Sequence, residues 1–300
     1  MKVFLTSATG YIGGAVARSL MNSGHAVVGL ARSAAAAQRL QDAGIQPHRG
    51  DLTDAASLQA AAIQADAVIH TAATNDAAMP TVDQQATQVL LAALADTPKP
   101  FVYTSGIWVM GNTKGQVADE TWPFDPTPIV AWRPAVEELV LAAAQAGVRS
   151  LVIRPGLVYG HGGGLLAMLR QTGQATGAVP MIESGDYHGA FVHVDDLARL
   201  YVQAMESAPA GTVLIGANDA AITMGQVADA IAQSLGMDGQ VQSLSLANAR
   251  ERWGALADAL ALDQQVTSDR AHQLLGWQPT AISVLDDLIQ ESDRSEAIAA

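Results

Sequence analysis

Cysteine is absent from all 300 residues, which excludes disulfides, cysteine nucleophiles and thiolate zinc sites. Positive charge is scarce. Only 16 Lys and Arg stand against 29 Asp and Glu, giving a net charge of −13, and no basic cluster offsets it. Such a surface repels a phosphate backbone, so nucleic acid is not an expected partner. Long hydrophobic runs are also missing. No stretch approaches the roughly 20 apolar residues that cross a bilayer. The opening Met1-Lys2-Val3-Phe4-Leu5 meets Gly10 too early for a signal peptide's apolar core. A cytosolic protein without membrane contact is expected.

What is present is a chain 49% hydrophobic and long enough to bury one large core, or a core and a smaller lobe. Short β-rich apolar runs alternate with helical patterns through the first half, as in parallel strands joined by crossover helices. Strands are expected over residues 3–6, 26–31, 45–49, 67–71, 101–105 and 150–154. Helices are expected over 12–23, 34–43, 55–64, 82–95 and 134–146, three of them followed by Gly24, Gly44 or Gly147. The alanines at 34–37 lie inside one of these amphipathic patterns and reflect composition bias. The fold class is α/β: a Rossmann-type doubly wound parallel sheet over residues 1–154, with a smaller substrate-binding lobe over 155–300. Strand patterns at 190–193 and 212–215 suggest that the chain returns once to the sheet at about 190–215. A further short strand is expected at 241–244, and residues 291–300 read as a frayed tail.

The segment Thr6-Ser7-Ala8-Thr9-Gly10-Tyr11-Ile12-Gly13-Gly14 follows a strand and opens a helix. Its amides and the positive helix end can face a pyrophosphate. Gly10 permits close approach and Gly13 tight packing of helix on strand, while Ser7 stands where a three-glycine pattern has its first glycine. The second strand ends in Arg32-Ser33, where NAD-selective proteins carry an acid for the ribose 2′-hydroxyl. A guanidinium there suits a 2′-phosphate, so NADP(H) is the expected cofactor, with NAD the second choice. Asp51 and Leu52 after strand three, and Thr71, Ala72 and Ala73 after strand four, fall where the adenine and its ribose should lie.

Several side chains carry less. His193 and Asp195 alternate as a metal pair might, but Asp195 reads as the cap of a helix over 196–206, and no metal site is expected. His70 reads as a core residue bonded to backbone. Trp108, Trp122 and Trp132, with Asp119 and Glu120, occupy the long segment after strand five and could wall an apolar pocket. Tyr187 and His188 sit on the glycine-rich approach to a strand, so with Trp108 they are the candidate substrate contacts.

Taken together, these motifs resemble the extended short-chain dehydrogenase/reductase family, the NAD(P)-dependent epimerase/dehydratase group. The resemblance runs through the Thr6 to Gly13 loop, Asp51-Leu52, His70-Thr71-Ala72-Ala73 and Tyr103-Thr104-Ser105-Gly106. It continues in Arg154-Pro155-Gly156-Leu157-Val158-Tyr159-Gly160, Phe191-Val192-His193-Val194-Asp195-Asp196 and Leu275-Gly276-Trp277-Gln278-Pro279. It implies cofactor binding by the N-terminal part, a nicotinamide site lined by Pro155, Gly156, Leu157 and Val158, and a homodimer through the helices over 82–95 and 135–146. It also marks a departure. The family's Tyr-x-x-x-Lys pair falls on Ile129 and Arg133, and its catalytic Ser or Thr on Ser105 or Gly106. Arg133 can bond the ribose hydroxyls but stays protonated, so it is no proton shuttle. Ser105 and Arg133 are the candidate catalytic pair, with the proton supplied by water, Tyr187 or His188. The expected activity is an NADP(H)-dependent oxidoreductase acting on a small carbonyl or alcohol. The alternatives are a sugar-nucleotide epimerase or dehydratase, for which Arg250, Arg252 and Arg270 are the available cations, and a non-catalytic NADP(H)-sensing protein.

Overall fold

Residues 1–74 and 76–290 are described by a computed structural model. The first half alternates strand and helix: β1 (Lys2–Leu5), α1 (Tyr11–Asn22), β2 (Ala26–Ala31), α2 (Ala34–Asp42), β3 (Gln46–Arg49), α3 (Ala55–Gln64), β4 (Ala67–His70), α4 (Met79–Leu94), β5 (Pro100–Thr104), β6 (Val117–Ala118), α5 (Arg133–Ala142) and β7 (Arg149–Pro155). The second half continues with β8 (Leu157–Tyr159), α6 (Gly164–Thr176), β9 (Val179–Ile182), β10 (His188–His193), α7 (Val194–Ser207), β11 (Thr212–Gly216), β12 (Asn218–Thr223), α8 (Met224–Ser234), β13 (Val241–Leu244), α9 (Leu246–Trp253), α10 (Leu256–Leu260), β14 (Gln265–Val266) and α11 (Asp269–Leu275).

Seven strands form one parallel sheet in the order β3-β2-β1-β4-β5-β7-β11. β4 is buried at all four positions, the mark of a strand covered on both faces. On one side lie α1, α2 and α7, through Val16, Leu20, Leu40, Tyr201 and Met205. On the other lie α3, α4 and α5, through Leu58, Leu90, Leu94, Val136 and Val140. The order reverses between β1 and β4, which opens a crevice at the strands' carboxyl ends, where open α/β sheets take their ligands.

The return to the sheet is made by β11 alone. β10 instead pairs with β8 and β12 in a separate three-stranded sheet, and two-stranded pairs join β9 to β13 and β6 to β14. The smaller lobe packs α6 and α8 around Leu166, Leu169, Val227 and Ile231. α4 begins at Met79, earlier than expected, because Pro80 in its first turn loses no intrahelical bond. α5 begins at Arg133 with Pro134 just inside it, then tightens into a 3-10 turn over Ala143–Ala146 that Gly147 ends at φ 81°. Ile129 sits in a separate 3-10 turn, Pro128–Val130, so it shares no helical face with Arg133. The tail expected at 291–300 lies outside the described residues. No helix among them is long and apolar enough to cross a membrane.

Candidate active site at the sheet's carboxyl edge

The phosphate loop is built for close approach. A Cβ at Gly13 would lie 1.9 Å from the Ser7 carbonyl oxygen, and one at Gly10 would lie 2.5 Å from Ser7 Oγ. No side chain caps α1, whose N-cap is Gly10, so its first amides remain for a ligand. They open on a cleft of about 490 Å³ lined by Thr9, Gly10, Tyr11, Arg18, His161 and Val194. Ile12 packs against the sheet core just behind.

Around the crevice, Arg32 is exposed beyond the end of β2. Ser33 Oγ caps α2 by accepting from Ala36 N at 3.0 Å, which leaves its own proton free to donate. Asp51 is held below the usual carboxylate range by hydrogen bonds from the Thr53 hydroxyl and amide, with a smaller contribution from Arg32's charge. Leu52 is buried, and Thr71, Ala72 and Ala73 follow β4 at the switch point. Thr71 Oγ1 and Arg133 Nε are both buried and have no hydrogen-bond partner among the described residues. Buried donors are seldom left so, and the hydroxyls and phosphates of a dinucleotide are fitting partners. The residues present therefore suit NAD(P), which Gly10, Tyr11, Gly13, Thr71 and Arg133 would hold.

Under the site lies a buried polar hub. Thr6 Oγ1 accepts from the amides of Thr71 and Ala72, each at 3.1 Å, so its proton goes to His70 Nδ1 at 2.9 Å. His70 then donates from Nε2 to Asp83 at 3.1 Å. His70 is thus a core residue, but its partners are the side chains of Thr6 and Asp83, because backbone groups in the β4 ladder are already paired. Asp83 also accepts from Tyr103 Oη at 2.6 Å and Trp132 Nε1 at 3.0 Å. Burial pushes the Asp83 carboxyl up, but these donors outweigh it and hold it below its ordinary value. Trp132, so fixed, is the platform over which the Arg133 guanidinium lies at 5.4 Å from the ring centre. Arg133 also donates to the Thr104 carbonyl at 2.7 Å.

Ser105 follows β5 and is buried, and its hydroxyl donates to Glu137. Glu137, fully buried on α5, is clasped by Arg154 at the end of β7, with Nη2 to Oε2 at 2.7 Å and Nε to both oxygens at 3.1 Å. The Ser105 oxygen keeps lone pairs, but its proton is committed to the buried carboxylate, so, contrary to the expectation from the sequence, Ser105 does not donate to a substrate oxygen. Beyond Arg154, Pro155 and Gly156 lead into Leu157 and Val158 of β8, and a Cβ at Gly156 would come within 2.6 Å of the Ala190 carbonyl.

Of the candidate substrate contacts, Trp108 is half-buried in the turn after Ser105 and packs with Trp122 and Ile129 around Val130 and Ala190. Glu120, in the same segment, is structural: its carboxylate accepts from Ile215 N at 2.9 Å. Tyr187 is half-buried, and burial pushes its hydroxyl up to about 12. It lines a small apolar pocket with Leu169, Met181, Met224, Trp253 and Leu260. α10, which carries Leu260, packs on the Pro128–Val130 turn. His188 Nδ1 lies 2.9 Å from Asp263 Oδ1.

Asp195 does not cap α7. The cap is His193, whose Nδ1 accepts from Asp195 N at 3.2 Å, so that Asp195 sits inside the first turn. His161, His193 and Asp195 bring potential ligand atoms within 4.8 Å of one another. However, the His193 Nδ1 lone pair is spent on the cap, and its Nε2 faces Gly160, where a Cβ would fall 2.3 Å away.

The arrangement has known counterparts. Residues 3–216 match the model of the NAD dependent epimerase/dehydratase family. The chain belongs to that family. An uncharacterised protein of Schizosaccharomyces pombe is 32% identical over 298 residues, covering 97% of this chain and 99% of its own. A 4-hydroxy-2-methyl-3-oxo-4-farnesyl-3,4-dihydroquinoline-1-oxide ketoreductase of Stigmatella aurantiaca is 27% identical, covering 83% and 78%. Among solved structures, dTDP-glucose 4,6-dehydratase of Streptomyces venezuelae with NAD bound superposes with a TM-score of 0.82 at 21% identity, covering 99% of this chain and 97% of that one. The family and its relatives are those of an NAD(P)-dependent enzyme of the oxidoreductase or epimerase/dehydratase type.

Sequence reasoning missed Asp83, the Glu137–Arg154 pair and Asp263. A signal existed for the pair: an arginine closing a buried apolar strand must find a partner, and a glutamate one helical turn beyond Arg133 is in reach. Asp83 and Asp263 had none, since their partners are distant in sequence.

Proposed function

We propose that this family member is an NADP(H)-dependent oxidoreductase acting on a small, uncharged carbonyl or alcohol with an apolar substituent. The carrying observation is the pair of unpartnered buried groups at the sheet's carboxyl edge, Thr71 Oγ1 and Arg133 Nε, near the uncapped start of α1; the pocket lined by Leu169, Met181, Tyr187, Met224, Trp253 and Leu260 has no charged side chain but encloses only about 10 Å³. One of the relatives is a ketoreductase, which is in keeping with a carbonyl substrate. NADP(H), when bound, supplies or accepts the hydride. The chain's own part is to hold it at Gly10, Gly13, Thr71 and Arg133, to seat a 2′-phosphate on Arg32 and Ser33, and to stabilise the substrate oxygen beside Arg133. Pro155, Gly156, Leu157 and Val158 wall the nicotinamide side.

A sugar-nucleotide substrate is less well served. Arg250 is bound to Asp258 at 2.6 Å, and Arg252 lies over Trp253 at 5.6 Å, so neither stands open for a diphosphate. A homodimer belongs to this reading, through half-buried Val89, Leu139 and Leu141 on α4 and α5; the larger apolar side chains there, Leu90 and Leu94, are already used inside the subunit. The test is NADPH consumption across a panel of apolar β-keto esters and ketones. Turnover is expected, with Arg133→Met lowering it about a hundredfold, the usual loss for one oxyanion donor, and Ser105→Ala, which frees a buried lone pair of Glu137, lowering it less. Consumption of none of the panel, or full activity in both variants, would refute the assignment.

A further inference from the structure

The family's proton-donating tyrosine is Ile129 here, and Arg133 cannot replace it. Tyr103 and Tyr201 are no substitutes: both are fully buried, and burial pushes both hydroxyls well above the normal tyrosine range. A proton donor must come from elsewhere, and the smaller lobe offers an imidazole anchored against the segment that follows Ser105.

His188 opens β10. Its ring Nδ1 lies 2.9 Å from Asp263 Oδ1, and its own amide donates to the same oxygen at 2.8 Å. The other oxygen of Asp263 accepts from Gly115 N at 3.0 Å. Burial pushes the Asp263 carboxyl up, but the His188 amide and ring and the Gly115 amide outweigh that and hold it below the usual range. The amide nitrogen of Gln265 is 3.4 Å from the same Nδ1 and would favour the opposite tautomer. The shorter, charged contact to Asp263 prevails over it. Nδ1 therefore carries a proton toward the carboxylate. Nε2 has no partner among the described residues, and the ring is about a quarter exposed, at 28%.

The dyad is pinned to the active site. The neighbouring Gln264 donates from its side chain to the carbonyls of Ile107 and Gly111, in the segment that follows Ser105. Ala190, two residues along β10, packs with Ile107, Trp108 and Ile129. Tyr187, one residue before, lines the apolar pocket.

Resting on the oxidoreductase reading, we infer that His188 is the general acid and base of the reaction, with Asp263 as its positioning residue. A carboxylate at one ring nitrogen fixes the tautomer and aims the other at substrate. In reduction, hydride from NADPH forms the new C–H bond and the carbonyl π pair moves to oxygen. The Nε2–H bond of the imidazolium breaks as that oxygen takes the proton. The alcohol and NADP⁺ leave, and the imidazole regains a proton from solvent. Asp263 stays ionised throughout. The charged group facing the ring is Asp263; Gln265 beside it is neutral.

The experiment compares the full-length protein with His188→Gln and Asp263→Asn by turnover of the ketone panel and by ring ¹H–¹⁵N correlation spectra without substrate. His188→Gln is expected to lower kcat at least about a hundredfold, the common size of acid–base assistance, with KM for NADPH unchanged. It should also abolish the loss of kcat as pH rises. The neutral ring of His188 should carry its proton on Nδ1, and Asp263→Asn should remove that preference while lowering kcat less than His188→Gln does. Should Asp263→Asn not fold, the half-buried His188→Gln and the spectrum of the unmodified protein decide alone. Full kcat with an unchanged pH profile in His188→Gln, or a neutral ring protonated on Nε2 in the unmodified protein, overturns the assignment and leaves the oxidoreductase reading standing. An unmodified protein that turns over no ketone overturns both.

Discussion

Replacing Glu137 by Gln is the sharpest test of how the active-site floor is held. The carboxylate is fully buried, accepts three contacts from Arg154 at 2.7 to 3.1 Å and also takes the Ser105 proton. Glutamine keeps the shape but removes the charge, and it turns one acceptor into an amide that faces the donors of Arg154. The guanidinium is 3% exposed, so water cannot take the carboxylate's place; its remaining neighbours are the Glu120 carbonyl at 3.3 Å and the Phe124 ring. An uncompensated buried charge of this kind costs about 3 to 5 kcal/mol. That is a large share of the roughly 5 to 15 kcal/mol by which domains are stable. Arg154→Met should cost a similar amount alone. The double variant Glu137→Gln with Arg154→Met should recover much of the loss, because no buried charge is left unpaired. Urea unfolding followed by circular dichroism, run as a double-mutant cycle, measures this coupling. Additive losses, or a Glu137→Gln variant within about 1 kcal/mol of the parent, would show that the pair is not the clamp described.

Arg32→Asp should reverse the preference for NADPH over NADH, since about 1.5 to 3 kcal/mol of charge-assisted bonding is removed and an acceptor for the 2′-hydroxyl supplied. Calorimetric titration giving equal affinities for both cofactors in the unmodified protein would remove the basis for that cofactor choice. The depressed Asp83 carboxyl contributes stability that is present above the unfolded value of about 3.9 and lost as pH falls through the lower folded value. Asp83→Asn should therefore lose stability most at neutral pH, with the gap to the parent closing below pH of about 4; a gap independent of pH would mean that Asp83 is not ionised in the fold.

The sheet was legible because it is made of local signals. β4 and β5 are apolar runs between turn residues, and each places its end, His70-Thr71 or Thr104-Ser105, where the ligand crevice opens. The cofactor loop was legible for the same reason: Gly10 and Gly13 stand three residues apart between a strand and a helix, and their job is written in that spacing. The smaller lobe was not. β10 ends in the alternating Phe191-Val192-His193 expected of a strand, yet nothing in those residues says that β8 and β12, rather than the main sheet, will pair with it. Charged partners hid for a related reason. His188 and Asp263 are separated by 75 residues and meet only because β10 and the segment before β14 pack together. Asp195 misled because an aspartate at a helix start is a common cap, whereas here the histidine two residues before it caps the helix by accepting Asp195's own amide.

The central claim is net hydride transfer from an NADPH held in this crevice to an apolar carbonyl compound. The direct measurement is mass spectrometry of the product formed with NADPH deuterated at nicotinamide C4, one sample for each face. The account predicts one deuterium on the new carbinol carbon from one face only, with stoichiometric NADP⁺. Product without deuterium and cofactor returned unchanged would contradict it and identify an enzyme that recycles its cofactor in place.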